Sequence, residues 1–359
     1  IATALLAVVV LSNCATPQDD LFTLMNVPSS TPTSFSLETT AMPTLVTPEP
    51  TAASGATREP PMRFDLPTPG PEPISLWRPP LNEVPWALGP NDHFYFARPI
   101  AADEVNWPLA NYRYGGIFFG WDIIHTGVDI PAPVGTPVLA AASGKVIWAG
   151  YGLLRGDNDI NDPYGLAVVV RHDFGWQGRR LNTVYAHMDR IDVKLGQLVD
   201  TGTQLGIIGT TGATTGPHLH FEVRVQTNTF FSTRNPELWL VPPQGWGVLA
   251  GRVLNTSGSL IIRKDVQVRS LETGRRWVVI TYGGAPANGD DYYRENVALS
   301  DLPEGWYEIV IVYDDDRYVK EIFVPSGGIA YFSFQGKKGF GNDTLPTPEP
   351  ESILKPWLE

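Results

Sequence analysis

Between about residue 83 and residue 243, the chain is a succession of short runs of alternating or β-branched residues, each ended by glycine or proline. Alternation with a period of two predicts half-buried β-strands, and proline and glycine keep such runs from extending into helices. No stretch between the runs has the length and 3.6-residue period of a crossover helix. The sequence therefore predicts an all-β, mostly antiparallel fold. The expected strands are 136–141, 145–149, 166–171, 182–187, 205–209 and 218–225.

A second group of strand-like runs follows, and its spacing suits a small β-sandwich. We expect strands near 247–254, 264–270, 277–282, 307–313, 317–324 and 331–334, with Asp314-Asp315-Asp316 as a hairpin turn. The phrase DLPEGWY at 301–307, which follows Gly251-Arg252-Val253, resembles the prealbumin-like (carboxypeptidase-regulatory-like) modules appended to carboxypeptidases and surface proteins. We interpret this unit as a spacer or as a module that binds a wall or protein partner.

The first fourteen residues have the features of an export segment. Residues 1–12 are almost wholly apolar, too short to span a bilayer as a helix and typical of a secretion signal. The run ends in Leu11-Ser12-Asn13-Cys14, which resembles the lipobox of bacterial lipoproteins and implies a lipid anchor at Cys14. The alternative is a conventional signal with an incidental cysteine. Both interpretations predict an extracytoplasmic protein of the bacterial cell envelope, membrane-anchored or secreted.

The predicted domain plan follows from composition. Residues 15–82 are rich in Pro, Ser and Thr with few aromatics, so we expect a disordered linker. The tail 337–359 shares this composition, and the tetrapeptide Thr-Pro-Glu-Pro occurs in both segments. Between them we expect two folded units, a first domain at 83–245 and an accessory module at 246–336.

Charge and cysteine usage exclude several classes of function. The formal net charge is −12, and no stretch gathers Lys and Arg into a block, which argues against nucleic-acid binding. Cys14 is the single cysteine, so an intramolecular disulfide framework and a CxxC zinc or redox site are excluded.

Four of the six histidines fall in three short signatures: His125-Thr-Gly-Val-Asp129, Tyr185-Ala-His187 and His218-Leu-His220. Residues two apart on a strand point to the same face, so His218 and His220 should face one side while Leu219 enters the opposite layer. Gly127 and the prolines that follow favour a strand and turn over a helix for the first signature. Zinc sites of the catalytic kind use three such His or carboxylate ligands.

The motifs HxxxD, YxH and GPHLHFEV, in this order, closely resemble the lysostaphin/LytM-type zinc metallopeptidases, which cleave peptide bonds in bacterial peptidoglycan. The resemblance covers roughly residues 92–224. It implies one Zn²⁺ per chain bound by His125, Asp129 and His220, with His187 and His218 in catalysis. It further implies hydrolysis of peptides in peptidoglycan stems or cross-bridges by a metal-activated water. Which histidine accepts the proton and which stabilises the oxyanion stays open.

An alternative function belongs to a different class. The same family contains degenerate members that have lost ligands, so a non-catalytic wall-binding lipoprotein that activates other wall hydrolases must be considered. Here all five motif positions are filled, which favours the enzyme. An enlarged loop at 153–163 departs from the family pattern and could line or cover the cleft. We expect His93 and His172 to serve structural hydrogen bonding.

Overall fold

The structure is a computed structural model that describes residues 82–100, 112–117, 124–342 and 344–345. Over these residues the chain forms sixteen β-strands and short 3₁₀ turns, with no α-helix. The predicted all-β class is therefore confirmed. Among the described residues, no helix is long and apolar enough to cross a membrane.

The first nine strands form one antiparallel sheet, in the order β1-β8-β5-β4-β3-β6. Off this path, β2 pairs with β7, β7 pairs with β5, and β9 pairs with β8. Each of the six runs predicted here is a strand, whereas the short strands β1, β6 and β9 offer too few residues for a visible alternation. The strands are β1 (Val128–Pro131), β2 (Pro137–Leu139), β3 (Gly144–Gly150), β4 (Leu166–Trp176), β5 (Arg179–Ile191), β6 (Leu198–Val199), β7 (Gln204–Ile208), β8 (His218–Val225) and β9 (Thr233–Arg234).

The remaining strands form a three-stranded sheet, β13-β10-β16, and a four-stranded sheet, β12-β11-β14-β15. All the pairs are antiparallel except β10 with β16, which is parallel. The predicted turn at Asp314 and Asp315 is present, and both residues adopt positive φ. These strands are β10 (Trp246–Leu254), β11 (Asp265–Ser270), β12 (Arg276–Ile280), β13 (Val297–Pro303), β14 (Gly305–Tyr313), β15 (Asp316–Val324) and β16 (Ile329–Gln335).

Strand β13 is the one long element that the sequence analysis missed. Its alternation is obscured because two of its polar residues, Ser300 and Asp301, are buried. The Ser300 N–H donates to a Glu237 carboxylate oxygen at 2.7 Å, and Asp301 pairs with Arg98. Long-range partners thus stabilise polar residues that a local pattern assigns to the surface.

Packing is continuous between the nine-stranded sheet and the strands that follow. One hydrophobic core joins Phe96 and Phe221 with Val248, Tyr293 and Tyr331. A second core lies between the two smaller sheets. All the described residues belong to one compact unit.

The predicted terminal segments lie mostly outside the described residues, including Cys14 and the linker up to residue 81. The fold continues past the predicted boundary at residue 336. Gly336–Lys338 forms a 3₁₀ turn, and Phe340 packs against Phe332 and Phe334 at the edge of the second core. The overall composition of the tail predicts disorder, but composition does not show that the aromatic side chain of Phe340 packs against the core.

Candidate metal centre and active site

Strand β8 carries the centre of the site. With the period of two, His218 and His220 lie on one face while Leu219 and Phe221 are fully buried in the core on the other, as predicted. Strand β1 pairs antiparallel with β8 and places Asp129 directly opposite His220. The Asp129 Oδ1 atom consequently lies 2.9 Å from His220 Nδ1.

His125 completes a cluster of three side chains. It precedes β1, and its Nε2 lies 3.0 Å from Asp129 Oδ1 and 3.0 Å from His220 Nδ1. All three residues are buried, and together they form a group able to hold a metal ion. Gly127 permits this approach, because a Cβ there would lie 2.4 Å from the Phe221 carbonyl oxygen and 2.9 Å from the His220 ring.

Hydrogen bonds outside the cluster orient the two histidine rings. His125 Nδ1 lies 3.0 Å from the Arg113 carbonyl oxygen, and His220 Nε2 lies 3.1 Å from Glu222 Oε1. Because these oxygens only accept, the facing nitrogens carry hydrogen, and in a neutral ring the other nitrogen has a lone pair. His125 Nε2, His220 Nδ1 and Asp129 Oδ1 therefore present three acceptors to one point, an arrangement that a cation stabilises.

Electrostatics also favours positive charge at this point. Burial alone would lower the pKa of His220, but hydrogen bonds to Asp129 and Glu222 raise it to about 9. Burial alone would raise the pKa of Asp129, but His125 and His220 hold it well below its usual range. A divalent cation can displace the proton that these carboxylates otherwise favour. Two nitrogens and one carboxylate oxygen are a ligand set that Zn²⁺ accepts.

Glu222 is a buried partner of His220 that the sequence analysis did not single out. It is fully buried, receives hydrogen bonds from Tyr164 at 2.7 Å and Arg224 at 2.7 Å, and bonds to His220. Burial alone would raise the pKa of Glu222, but Arg224 and His220 lower it to about 2. The signal was present, because Glu222 continues the every-second-residue series of His218 and His220 on β8.

His187 and His218 lie beside the cluster, with their ring centroids 4.7 Å apart. His187 Nδ1 donates to the Thr211 carbonyl oxygen at 2.8 Å, and His218 Nδ1 donates to that of Gly216 at 2.8 Å. Burial is the largest factor that lowers the pKa of His187, to about 3, and it also lowers the pKa of His218. Both rings are therefore neutral at pH 7, with the lone pair on Nε2.

The backbone of His187 is itself unusual. Its φ is 62°, in the left-handed region that non-glycine residues rarely adopt. Two backbone hydrogen bonds hold it there: its N–H donates to the Tyr164 carbonyl at 3.0 Å, and its carbonyl accepts from the Gly209 N–H at 3.0 Å. Such strain concentrates at functional sites, where the surrounding structure must maintain it.

The enlarged loop at 153–163 packs beside the site. Buried Asp162 organises it by accepting hydrogen bonds from the backbone N–H groups of Leu154, Arg155 and Tyr164. The Pro163 carbonyl accepts from Ala213 N–H at 2.9 Å, which joins the loop to the segment that holds His187 and His218. The loop thus supports Tyr164, a partner of Glu222.

The other two histidines have structural partners, as predicted. His172 bonds to the Ser143 carbonyl oxygen and the Thr183 hydroxyl, both at 2.9 Å. His93 pairs with Asp290 at 3.1 Å inside the core. The structure thus places the three residues of the cluster and the adjacent His187 and His218 at one site, whereas His93 and His172 make their contacts elsewhere.

Known proteins show similarity to this part of the chain. Residues 123–231 match the model of peptidase family M23. The DD-carboxypeptidase/endopeptidase Mpg of Neisseria meningitidis serogroup B is 36% identical over 127 residues, which are 35% of this chain and 26% of the relative. The peptidoglycan DD-endopeptidase ShyB of Vibrio cholerae is 41% identical over 103 residues, 28% of this chain and 21% of the relative.

Lysostaphin of Staphylococcus staphylolyticus is 35% identical over 160 residues, which are 44% of this chain and 30% of that protein. The chain thus spans less than a third of the length of each of these three relatives. The similarity covers the segment that carries all five motif residues. Residues 123–231 are therefore a domain of the M23 metallopeptidase family, homologous to the lysostaphin/LytM-type peptidoglycan endopeptidases.

Proposed function

We propose that this protein is a zinc-dependent endopeptidase that hydrolyses peptide bonds in the stems or cross-bridges of peptidoglycan. The observation that carries the proposal is the convergence of His125 Nε2, Asp129 Oδ1 and His220 Nδ1, each within about 3 Å of the other two. Two neutral imidazoles, those of His187 and His218, flank this point. The names of the M23 relatives support peptidoglycan as the substrate.

In the proposed mechanism, His125, Asp129 and His220 hold one Zn²⁺. A bound Zn²⁺ would supply the Lewis acidity for activation of water and polarisation of the scissile carbonyl. His187 and His218 each have an unprotonated Nε2, because Nδ1 donates to a backbone carbonyl. One of these Nε2 atoms would accept the proton of the attacking water and pass it to the leaving amine. The other Nε2, also unprotonated, would accept a hydrogen bond from the same water and orient it, since a ring without hydrogen on Nε2 cannot donate to the oxyanion.

One contact favours His218 as the ring that carries the transferred proton. Its Nε2 lies 3.4 Å from Asp129 Oδ2, so a carboxylate faces the positive charge that forms there. The Gly216 carbonyl accepts from the opposite nitrogen and keeps the ring oriented while the proton moves. His187 Nε2 is then the acceptor that orients the attacking water.

The experiment that tests the function is digestion of purified, cross-linked peptidoglycan by the zinc-loaded full chain, with released muropeptides identified by mass. New free amines and shorter stem peptides are the expected products, and they also identify the bond. A His220→Ala variant is the negative control because it removes a metal ligand. Bound zinc without products from several wall chemistries would contradict the endopeptidase and favour the hydrolase-activating alternative.

We further propose that the chain is exported and anchored through a lipid on Cys14. The support is the apolar run at 1–12 followed by the lipobox-like Leu-Ser-Asn-Cys, all outside the described residues. Expressed in a bacterium with labelled palmitate, the natural chain should carry label and sediment with membranes. A Cys14→Ser variant should do neither. An unlabelled natural chain in the medium would indicate a secreted protein instead.

A further inference from the structure

The position of His125 depends on a neighbouring segment, residues 112–117. The Arg113 carbonyl accepts the hydrogen bond from His125 Nδ1 at 3.0 Å. Two backbone hydrogen bonds join the same stretch to His125, from Gly115 N–H to the His125 carbonyl and from His125 N–H to the Gly116 carbonyl, both at 2.8 Å. A displacement of this segment would therefore turn the His125 ring away from Asp129 and His220.

The segment in turn packs against residues that follow the nine-stranded sheet. The Tyr114 hydroxyl lies 3.1 Å from the Asn288 carbonyl oxygen, and its ring meets the Tyr282 ring edge-on, with centroids 5.1 Å apart. A Cβ at Gly115 would lie 2.2 Å from the Tyr282 Cβ, so the backbone there is in direct contact with Tyr282. Ile124, next to His125, packs on the same apolar cluster.

The Arg113 side chain makes a second connection. Its guanidinium pairs with Glu237, and both side chains are buried. The Glu237 Oε2 atom also accepts the Ser300 N–H of β13 at 2.7 Å. A continuous path of contacts thus runs from β13 through Glu237 and Arg113 to the carbonyl that orients His125.

We infer that the C-terminal module (246–336) positions the metal centre, with Tyr282 and Glu237 as positioning residues for His125. Tyr282 belongs to the module and contacts the segment at 112–117 directly, whereas Glu237 precedes the module and connects Ser300 of the module to Arg113. We call these two residues, with Ser300, the clamp. Ligand-orienting partners are known to control metal affinity, because they fix the ring before the metal arrives. The inference rests on the proposed function, since it assumes that His125 is a zinc ligand. It assigns the module a role inside the catalytic unit, beyond that of a spacer.

A second buried ion pair, which joins the stretch before the nine-stranded sheet to β13, provides a matched control. Arg98 pairs with Asp301 on β13, and both are buried like Arg113 and Glu237. Arg98 Nε donates to the Val241 carbonyl at 3.2 Å, so this pair leads away from the segment at 112–117. Loss of the Arg98 pair should destabilise the packing without rotating His125.

The test measures the Zn²⁺ dissociation constant of the full chain by competition with a chromophoric chelator, after removal of metal by dialysis. Glu237→Gln and Tyr282→Leu should weaken zinc binding by about 10–100-fold. Asp301→Asn should leave it unchanged, as should Tyr282→Phe, which keeps the ring against Gly115. Thermal unfolding of each metal-free variant establishes that the compared proteins are folded at the temperature of the titration.

Equal zinc affinity in Glu237→Gln, Tyr282→Leu and the natural chain would overturn the inference. The inference would also be overturned if Asp301→Asn weakened zinc binding as much as the clamp variants do, with the loss of affinity following the loss of stability. Visible spectra of the Co²⁺-substituted proteins provide a second readout, because a rotated His125 changes the ligand field while a distant loss of stability does not. Absence of stoichiometric zinc binding by the natural chain would instead refute the proposed function itself.

Discussion

At the scale of single residues, the site depends on which nitrogen of each histidine carries hydrogen. Three backbone carbonyls, those of Arg113, Thr211 and Gly216, and the Glu222 carboxylate each accept from one ring nitrogen. The opposite nitrogen of every ring is thereby available for metal or proton. The nitrogens of the two expected ligands, His125 and His220, lie 3.0 and 2.9 Å from Asp129 Oδ1, whereas His218 Nε2 lies 3.4 Å from Asp129 Oδ2.

This division of roles predicts different outcomes for different histidines. His187→Ala and His218→Ala should each retain stoichiometric zinc and lose about 10²–10⁴ in turnover, the usual contribution of general acid–base catalysis. His125→Ala should lose the zinc. Metal content and peptidoglycan digestion, measured on the same preparations, check both statements. Natural turnover in His187→Ala with zinc bound would contradict the assignment.

Gly127 is predicted to control the geometry of the cluster. An added Cβ meets the Phe221 carbonyl, which cannot move without separating β1 from β8, and the His220 ring, which can yield only by turning away from its partners. Gly127→Ala should therefore weaken zinc binding by about tenfold or more, comparable to the loss of an orienting partner. Gly216→Ala is the control, because a Cβ there meets nothing within 4 Å. Equal affinities in the two variants would show that β1 and β8 adapt.

At the scale of secondary-structure elements, β4 and β5 are the longest strands of the nine-stranded sheet, and β4 carries a buried titratable residue, His172. His172 on β4 bonds to Ser143 and Thr183, and its ring packs against Phe96 with centroids 4.8 Å apart. Burial is the main cause that lowers the pKa of His172 to about 4. At mildly acidic pH the His172 ring is therefore neutral in the folded protein but protonated in the unfolded chain.

The pH dependence of stability follows from this shift. Because the folded pKa lies below the unfolded value of 6.5, the unfolded state binds more protons between pH 6.5 and about 4. The free energy of unfolding should fall as pH decreases through this window, by up to roughly 3 kcal/mol from this group. Urea unfolding of the natural chain and of His172→Gln at several pH values isolates the contribution. Identical slopes for the two proteins would contradict it.

At the scale of the whole molecule, the peptidase sheet and the C-terminal module share one core. Val248, Ala250, Tyr293 and Tyr331 pack into the same cluster as Phe221, and the buried Arg98 pairs with Asp301 of the module. Removal of the module would expose apolar side chains and leave the buried charge of Arg98 without its partner Asp301. Both consequences are destabilising.

A fragment that ends at residue 245 is therefore expected to be much less stable than the full chain. The midpoint of thermal unfolding should fall by about 10 °C or more, since several kcal/mol of packing are lost. Circular dichroism of both proteins, with binding of a hydrophobic dye, measures the effect. An unchanged midpoint with no dye binding would show that the first nine strands are stable alone.

The sequence by itself determined the all-β class, most of the longer strands and the five motif residues. These follow from local rules: alternation places His218 and His220 on one face, and proline and glycine end the strands. The family motif supplied the expected ligands. None of these inferences required knowledge of which strand lies beside which.

Only the tertiary structure decided the rest, because it depends on contacts between distant parts of the chain. His125 and His220 are 95 residues apart, and the pairing of β1 with β8 brings them to 3.0 Å. Three further features also depend on packing between distant segments: the ionised Glu222 beside His220, the buried polar residues of β13, and the contacts of the clamp with the segment at 112–117. A local pattern reports which face a side chain occupies, but the partner on that face is fixed only when the sheets assemble.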